Sequence, residues 1–219
     1  MSVSISSPAQ QGLASVPTTG PSNAVTGDWT RALPVLRGQR LALRELVTTD
    51  APSLMSHLAA EEVSKFISTP PATPEGFEQF IATVHRERKA GRQFVFGILP
   101  DGCDHAVGLV QMRAIAPRFA VAEWGFAIGS TFWGTGLFLD SARMALDFAF
   151  EHTPVHRLEA RAVVQNSRGN GVLRKLGAIQ EGVLEGGLRK GGKSFDQVVW
   201  SITPQNWLHA KTVWSSVLH

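Results

Sequence analysis

The chain has 219 residues, 43% of them hydrophobic and 18% charged, which suits one globular domain with a substantial core and leaves little room for a second. The sequence pI of about 9.4 is high, but the formal charge is only +3 and the basic residues are scattered along the chain, which argues against nucleic-acid binding. No apolar run approaches the ~20 residues of a membrane-spanning helix, and a single cysteine, Cys103, excludes an internal disulfide framework and fits a cytoplasmic protein.

Residues 1–30 are rich in Ser, Pro, Thr, Gly, Ala and Gln, with Asp28 the only charge and no apolar period, and read as a disordered tail. A basic start and a continuous apolar segment are both missing, which argues against a secretory signal. The expected domain is therefore 31–219. From Gln39 the pattern alternates through Arg40-Leu41-Ala42-Leu43-Arg44-Glu45-Leu46, a strand with one buried face. Thr49-Asp50-Ala51-Pro52 starts a helix bearing Leu54 and Leu58, and Thr73-Pro74-Glu75 starts a second, with Phe77, Phe80, Ile81 and Val84 as its stripe and Gly91 as its stop. Residues 92–99 and 106–115, joined by Pro100-Asp101-Gly102, predict an antiparallel hairpin. Cys103 lies in that turn between carboxylates, a setting that raises rather than lowers a thiol pKa and does not favour a nucleophile.

A third strand, residues 121–128, runs into a glycine-rich turn and a long helix, Gly134 to Phe150. Such a turn leaves the first N–H groups of the helix unpaired and aimed outward, ready for phosphate oxygens. Beyond it lie an alternating strand over 156–164, a short helix from Ser167 closed by Gly177, and a last pair of strands, 178–188 and 195–202, around Lys190-Gly191-Gly192-Lys193. The fold class is α/β (α+β): a mixed sheet with helices.

The seven histidines show no metal-ligand spacing, no G-x-S-x-G elbow is present, and no metal is expected. Leu139 stands where a dinucleotide fingerprint needs its third glycine, and no Lys-Ser or Lys-Thr follows the glycines as a P-loop requires. An anion cradle directly after a strand is what is left.

An ordered set of segments then carries a resemblance. Leu41-Ala42-Leu43-Arg44 with Asp50-Ala51, Ala122 to Gly129, Phe132-Trp133-Gly134-Thr135-Gly136, His156-Arg157-Leu158-Glu159-Ala160, Asn166, Val172-Leu173-Arg174-Lys175-Leu176-Gly177, Glu181-Gly182-Val183-Leu184 and Trp207 resemble GNAT-superfamily N-acetyltransferases, in the branch of the Rim-type enzymes that acetylate ribosomal-protein N-termini. The likeness spans about residues 36–207. It implies a mostly antiparallel, splayed central sheet of six to seven strands flanked by about four helices. It also implies acetyl-CoA as cosubstrate and a primary amine as acceptor, either a protein N-terminus or a small molecule, in a monomer or homodimer.

By the same resemblance, the strand Phe126-Ala127-Ile128 parts from its neighbour and its backbone pairs with the pantetheine arm. Gly134, Thr135, Gly136, Leu137 and Phe138 supply the backbone that holds the pyrophosphate, where a Cβ would crowd the phosphate and the helix dipole adds about half a positive charge. Asn166 matches an Asn that hydrogen-bonds the arm; its other reading is an Asx turn or N-cap for the Ser167 helix. Glu123 is the candidate base for a direct attack of the amine on the thioester, and its other reading is a salt-bridge partner. Glu159 is a second carboxylate, free to act there or to pair with an Arg.

The chain also departs from the family. It has no tyrosine to protonate the leaving thiolate, Gly169 stands where relatives often carry Ser, and Phe138 replaces a small residue, so its ring has to turn toward the core or the adenine side. Ser167 is left as a candidate acid, and the CoA thiol, with a pKa near ~8.5, can leave with little help. These departures keep open a catalytically silent acyl-CoA-binding module as the alternative. Acceptor choice falls to the loops near 66–74 and 188–195, where Arg189, Lys190 and Lys193 suit an acidic acceptor or are simply a solvated tip.

Overall fold

A computed structural model describes residues 28–217. Eight strands form one sheet in the order β1-β2-β3-β4-β5-β6-β8-β7, and six α-helices accompany them. The strands are β1 (Leu36–Arg37), β2 (Leu41–Glu45), β3 (Gln93–Pro100), β4 (Gly108–Ala114), β5 (Val121–Ile128), β6 (Arg157–Val163), β7 (Ile179–Lys190) and β8 (Lys193–Ile202). The helices are α1 (Ala51–Leu58), α2 (Glu61–Ser64), α3 (Pro74–Lys89), α4 (Leu137–His152), α5 (Ser167–Lys175) and α6 (Pro204–Val217). Every strand pair is antiparallel except β5 with β6, which α4 connects.

The expected six to seven strands become eight because the two-residue β1 pairs with Leu43 and Ala42, and two residues are too few to show a period. The expected four helices become six with α2 and α6. The start of α6 follows the rule that starts α3: Thr73 accepts from the N–H of Gly76 ahead of Pro74, and Thr203 accepts from the N–H of Asn206 ahead of Pro204. Most of the expected tail lies outside the described residues. Its last residues do not belong to it: Trp29 is 7% exposed and packs on Phe94 and Phe119, with ring centroids 5.4 and 5.0 Å away.

Strand alternation divides the core between the two faces of the sheet. Phe94, Phe96, Ile98, Val110, Met112 and Trp124 meet α4 through Ala142, Ala145, Leu146 and Phe148. Val95 and Leu109 meet α1 and α3 through Leu54, Leu58, Phe77, Ile81 and Val84 on the opposite face. Burying each of these large side chains contributes ~1.5–3 kcal/mol, so the sheet is clamped from both sides. The turn between β4 and β5 holds two successive non-glycine residues at positive φ, Arg118 at 57° and Phe119 at 60°. Phe119 is held there by stacking on Phe94, 5.6 Å between centroids.

The helical start of α1 is fixed by a buried carboxylate. Asp50 has no exposed side-chain surface and accepts from Arg44 at 2.7 and 2.9 Å, from the N–H of Val47 at 2.9 Å and from the N–H of Ala106 at 2.9 Å. Burial opposes its charge, but these donors outweigh the burial and hold its pKa below the ordinary 3.8. The bond to Ala106 ties α1 to the β3–β4 hairpin and so sets the wall of the cleft described next.

Candidate active site

The sheet opens where β5 leaves β6. The two strands are in register only at Val121, Ala122 and Glu123, opposite Arg157, Leu158 and Glu159, while β5 stays paired with β4 to Ile128. Phe126, Ala127 and Ile128 thus lie on the parted length of β5, as expected. Beyond them, Gly134 and Gly136 adopt φ of 77° and 82°, values that L side chains rarely take. Gly136 is the N-cap of α4 and offers no capping side chain. A Cβ built on Gly134 meets nothing within 4 Å, so the space in front of the turn is open, which fits an anion cradle at the helix N-terminus.

A cavity of about 490 Å³ occupies that space. Phe126, Ala127 and Ile128 line it from the strand, Gly134, Gly136 and Phe138 from the turn, and Asn166 from the far side. The side chains of three of the expected residues do not line this cavity, which leaves the backbone role of Thr135 and Leu137 untouched. Leu137 is buried in the core beneath α4. The Thr135 hydroxyl is absorbed by the turn, donating to the carbonyl of Phe132 and accepting from the N–H of Leu137. Glu123 lies on the second cavity, described below. The Phe138 ring packs on Phe126 with centroids 4.5 Å apart and planes tilted by 37°, and Phe126 on Trp124 at 5.2 Å, so the bulky residue turns toward the core.

Asn166 caps α5. Its Oδ1 accepts from the N–H of Gly169 at 2.9 Å, which is the capping reading. The next turn is locked by Asn170, whose amide donates to the carbonyls of Val163 and Asn166 and accepts from the indole N–H of Trp200 at 2.9 Å. Ser167 lines the first cavity at the start of the same helix.

Several contributors had no local signal in the sequence. Arg40 reaches from the foot of β2 to the carbonyl of Thr135 at 3.2 Å and to Asp140 at 2.6 Å, buttressing the glycine turn from behind. Trp133 donates to the carbonyl of Ile128 at 3.2 Å, using one of the acceptors on the parted strand. The Arg168 guanidinium lies 4.3 Å from the Trp133 ring and so joins α5 to the turn.

A second cavity, about 570 Å³, is lined by β5 from Glu123 to Ala127. Phe66, Ile67, Phe126, Ala127, Asn166 and Gly169 line both cavities, so the two spaces meet at the parted strand. The second is walled by Pro71, Phe77, Phe80 and Leu109, with Gln111, Arg113, Glu123, Arg161 and Gln197 as its polar side. Glu123 is bonded to Arg113, its register partner on β4. Glu159 stands level with Glu123 but accepts from Arg157 at 2.8 Å. Arg157 also reaches Glu181, whose pKa is lowered first by the hydroxyl of Ser201 and then by Arg157. Lys190, expected either to meet an acidic acceptor or to be solvated, donates instead to the carbonyls of Ser64 and Ile67 and fastens the 64–67 loop over this cavity.

Among the described residues no group of His, Cys, Asp and Glu is placed to hold a metal, and no helix is long and apolar enough to cross a membrane.

Known proteins resemble this chain in sequence and in fold. The N-acetyltransferase p20 of Bacillus licheniformis, itself uncharacterised, is 26% identical over 168 residues, covering 75% of this chain and 93% of the relative. Of solved structures, the ribosomal-protein-S5-alanine acetyltransferase of Vibrio fischeri superposes with a TM-score of 0.71 at 20% identity, covering 80% of this chain and 98% of that one. RimJ of Mycobacterium smegmatis, solved in complex with a CoA disulfide, gives 0.70 at 22% identity, over 80% and 89%. These two show the shared fold. The sequence profile of the Acetyltransferase (GNAT) domain matches residues 40–179, from Arg40 behind the glycine turn to the start of β7, and the chain belongs to the GNAT acetyltransferase family.

Proposed function

We propose that the protein moves an acetyl group from acetyl-CoA to a primary amine by direct attack. The observation that carries this reading is the meeting of two cavities at the parted strand, one bordered by an anion cradle and the other by a carboxylate. Acetyl-CoA, when bound, supplies an activated acyl group on a thiol leaving group.

The protein's part is positioning and proton transfer. Gly134 leaves room for phosphate oxygens near the N-terminus of α4, where the helix dipole and the N–H groups after Leu137 favour negative charge. The parted length of β5 offers backbone groups to an extended pantetheine arm, as a sheet edge does to an added strand. An amine entering from the second cavity reaches the same strand, because Phe126 and Ala127 line both spaces. Glu123 takes the proton of the attacking amine, directly or through a water, by exchanging its bond to Arg113 for one to the acceptor. Ser167, which lines the first cavity, is the candidate for returning a proton to the thiolate.

Thiol release from acetyl-CoA, measured against a panel of amines and peptides, tests the proposal. Release that depends on the acceptor supports it. Acetyl-CoA binding without turnover on any acceptor would establish the silent acyl-CoA-binding module in its place.

A further inference from the structure

We infer that Arg161 selects acceptors that carry a carboxylate close to the reacting amine. The inference rests on the acetyl-transfer reading above and assigns the substrate class of its acceptor side. Three charged residues line the second cavity: Arg113, Glu123 and Arg161. Arg113 and Glu123 are bonded to each other and cancel. Arg161 has no ion pair, hydrogen bond or ring contact among the described residues. The lining is therefore left with one uncompensated positive charge.

The strand geometry explains why no internal carboxylate reaches it. Alternation along β6 buries Ala160 and Ala162 at 2% and 6% exposure and puts Arg161 on the face of Glu159, about 6.6 Å further along the strand. Glu159 is engaged by Arg157. The register neighbour of Arg161 on β8 is Val199, and beyond it on β7 lies Gly182, neither of which is charged. On the other side β5 has already parted from β6, so Arg161, an exposed residue that lines the second cavity, stands on the strand beside the gap. A planar guanidinium in such a place binds a carboxylate through two parallel N–H bonds. Phe66, Phe77, Phe80 and Leu109 form the apolar wall of the same cavity. The shared chemistry is a primary amine with a nearby carboxylate and an apolar body. It could come from a free amino acid or from a peptide N-terminus with an acidic side chain in its first two residues.

The test compares kcat/KM for matched acceptors in the full chain. One arm pairs phenylalanine with phenylalaninamide; the other pairs peptides that differ only as Asp against Asn at the second position. In Arg161→Gln the preference for the carboxylate member should fall at least about tenfold, the size of a lost charge-assisted bond, with partial recovery in Arg161→Lys. Comparing each ratio between wild type and variant cancels the different basicities of the paired amines. The arm that responds identifies the source. Turnover with the same ratios in wild type and Arg161→Gln would overturn this inference alone. No turnover on any amine, with acetyl-CoA still bound, would overturn the acetyl-transfer reading and this inference together.

Discussion

Asn166 and Gly169 are locked together at the start of α5. The side-chain oxygen of Asn166 takes the Gly169 N–H at 2.9 Å, and a Cβ built on Gly169 would stand 2.6 Å from the Asn166 amide nitrogen. A serine at 169 therefore cannot be added without moving Asn166, and moving it breaks the cap. Gly169→Ser should lower stability by about 1 kcal/mol, the value of a lost N-cap, and should weaken acetyl-CoA binding rather than supply an acid. Thermal unfolding with and without acetyl-CoA checks both effects. A variant with wild-type stability and a raised kcat would show that Asn166 relaxes freely and that the missing hydroxyl limits the reaction.

Gly134 separates the turn's shape from its openness. Its φ of 77° disfavours any side chain, but a Cβ there meets no protein atom. Gly134→Ala should cost about 1–2 kcal/mol of stability from the left-handed backbone alone. The added methyl group also projects into the space assigned to phosphate. Acetyl-CoA should then lose most of its ability to raise the unfolding temperature of the variant, whereas an undiminished shift would remove the cradle from this turn.

The sequence made the strand, turn and helix around Gly134 legible because each is specified locally: alternation for β5, glycine for positive φ, a helical stripe for α4. The parting of β5 from β6 followed from resemblance, and the three-residue register now gives it a physical form. Arg40 and Lys190 could not have been assigned in this way. Their partners lie 95 and more than 120 positions away in the chain, and an exposed Arg or Lys has no pattern that announces a distant carbonyl. Trp29 was hidden for the opposite reason, as one aromatic at the end of a low-complexity stretch. The helix α6, in contrast, carried the Thr-Pro start that identified α3 and was readable. For Asn166 both readings were visible beforehand: the capping bond is seen, and the residue also lines both cavities.

Asp50 links the cleft to pH. Its folded pKa lies below the unfolded value near 3.8, so its stabilisation is fully present above about pH 4 and is lost as the pH falls through the depressed folded value. Asp50→Asn should cost about 3 kcal/mol near neutral pH, because the Arg44 guanidinium loses its buried partner. Urea unfolding of both proteins across the acid range should show the gap closing below pH 3.8. A gap that stays constant with pH would mean that packing around Asp50, and not its charge, holds α1 to the hairpin.

Glu123 must leave Arg113 to act as a base, and this makes the pair separable by experiment. As the base, Glu123 has to be free of Arg113 when it takes the proton of the amine. Glu123→Gln should lower kcat by about 10²–10⁴-fold, while acetyl-CoA affinity is retained. Arg113→Gln removes only the competing donor, so kcat should be kept or rise. A kcat that is unchanged in Glu123→Gln would leave the Arg113–Glu123 pair as a cross-strand ion pair between β4 and β5, and the proton would then have to leave the amine through solvent.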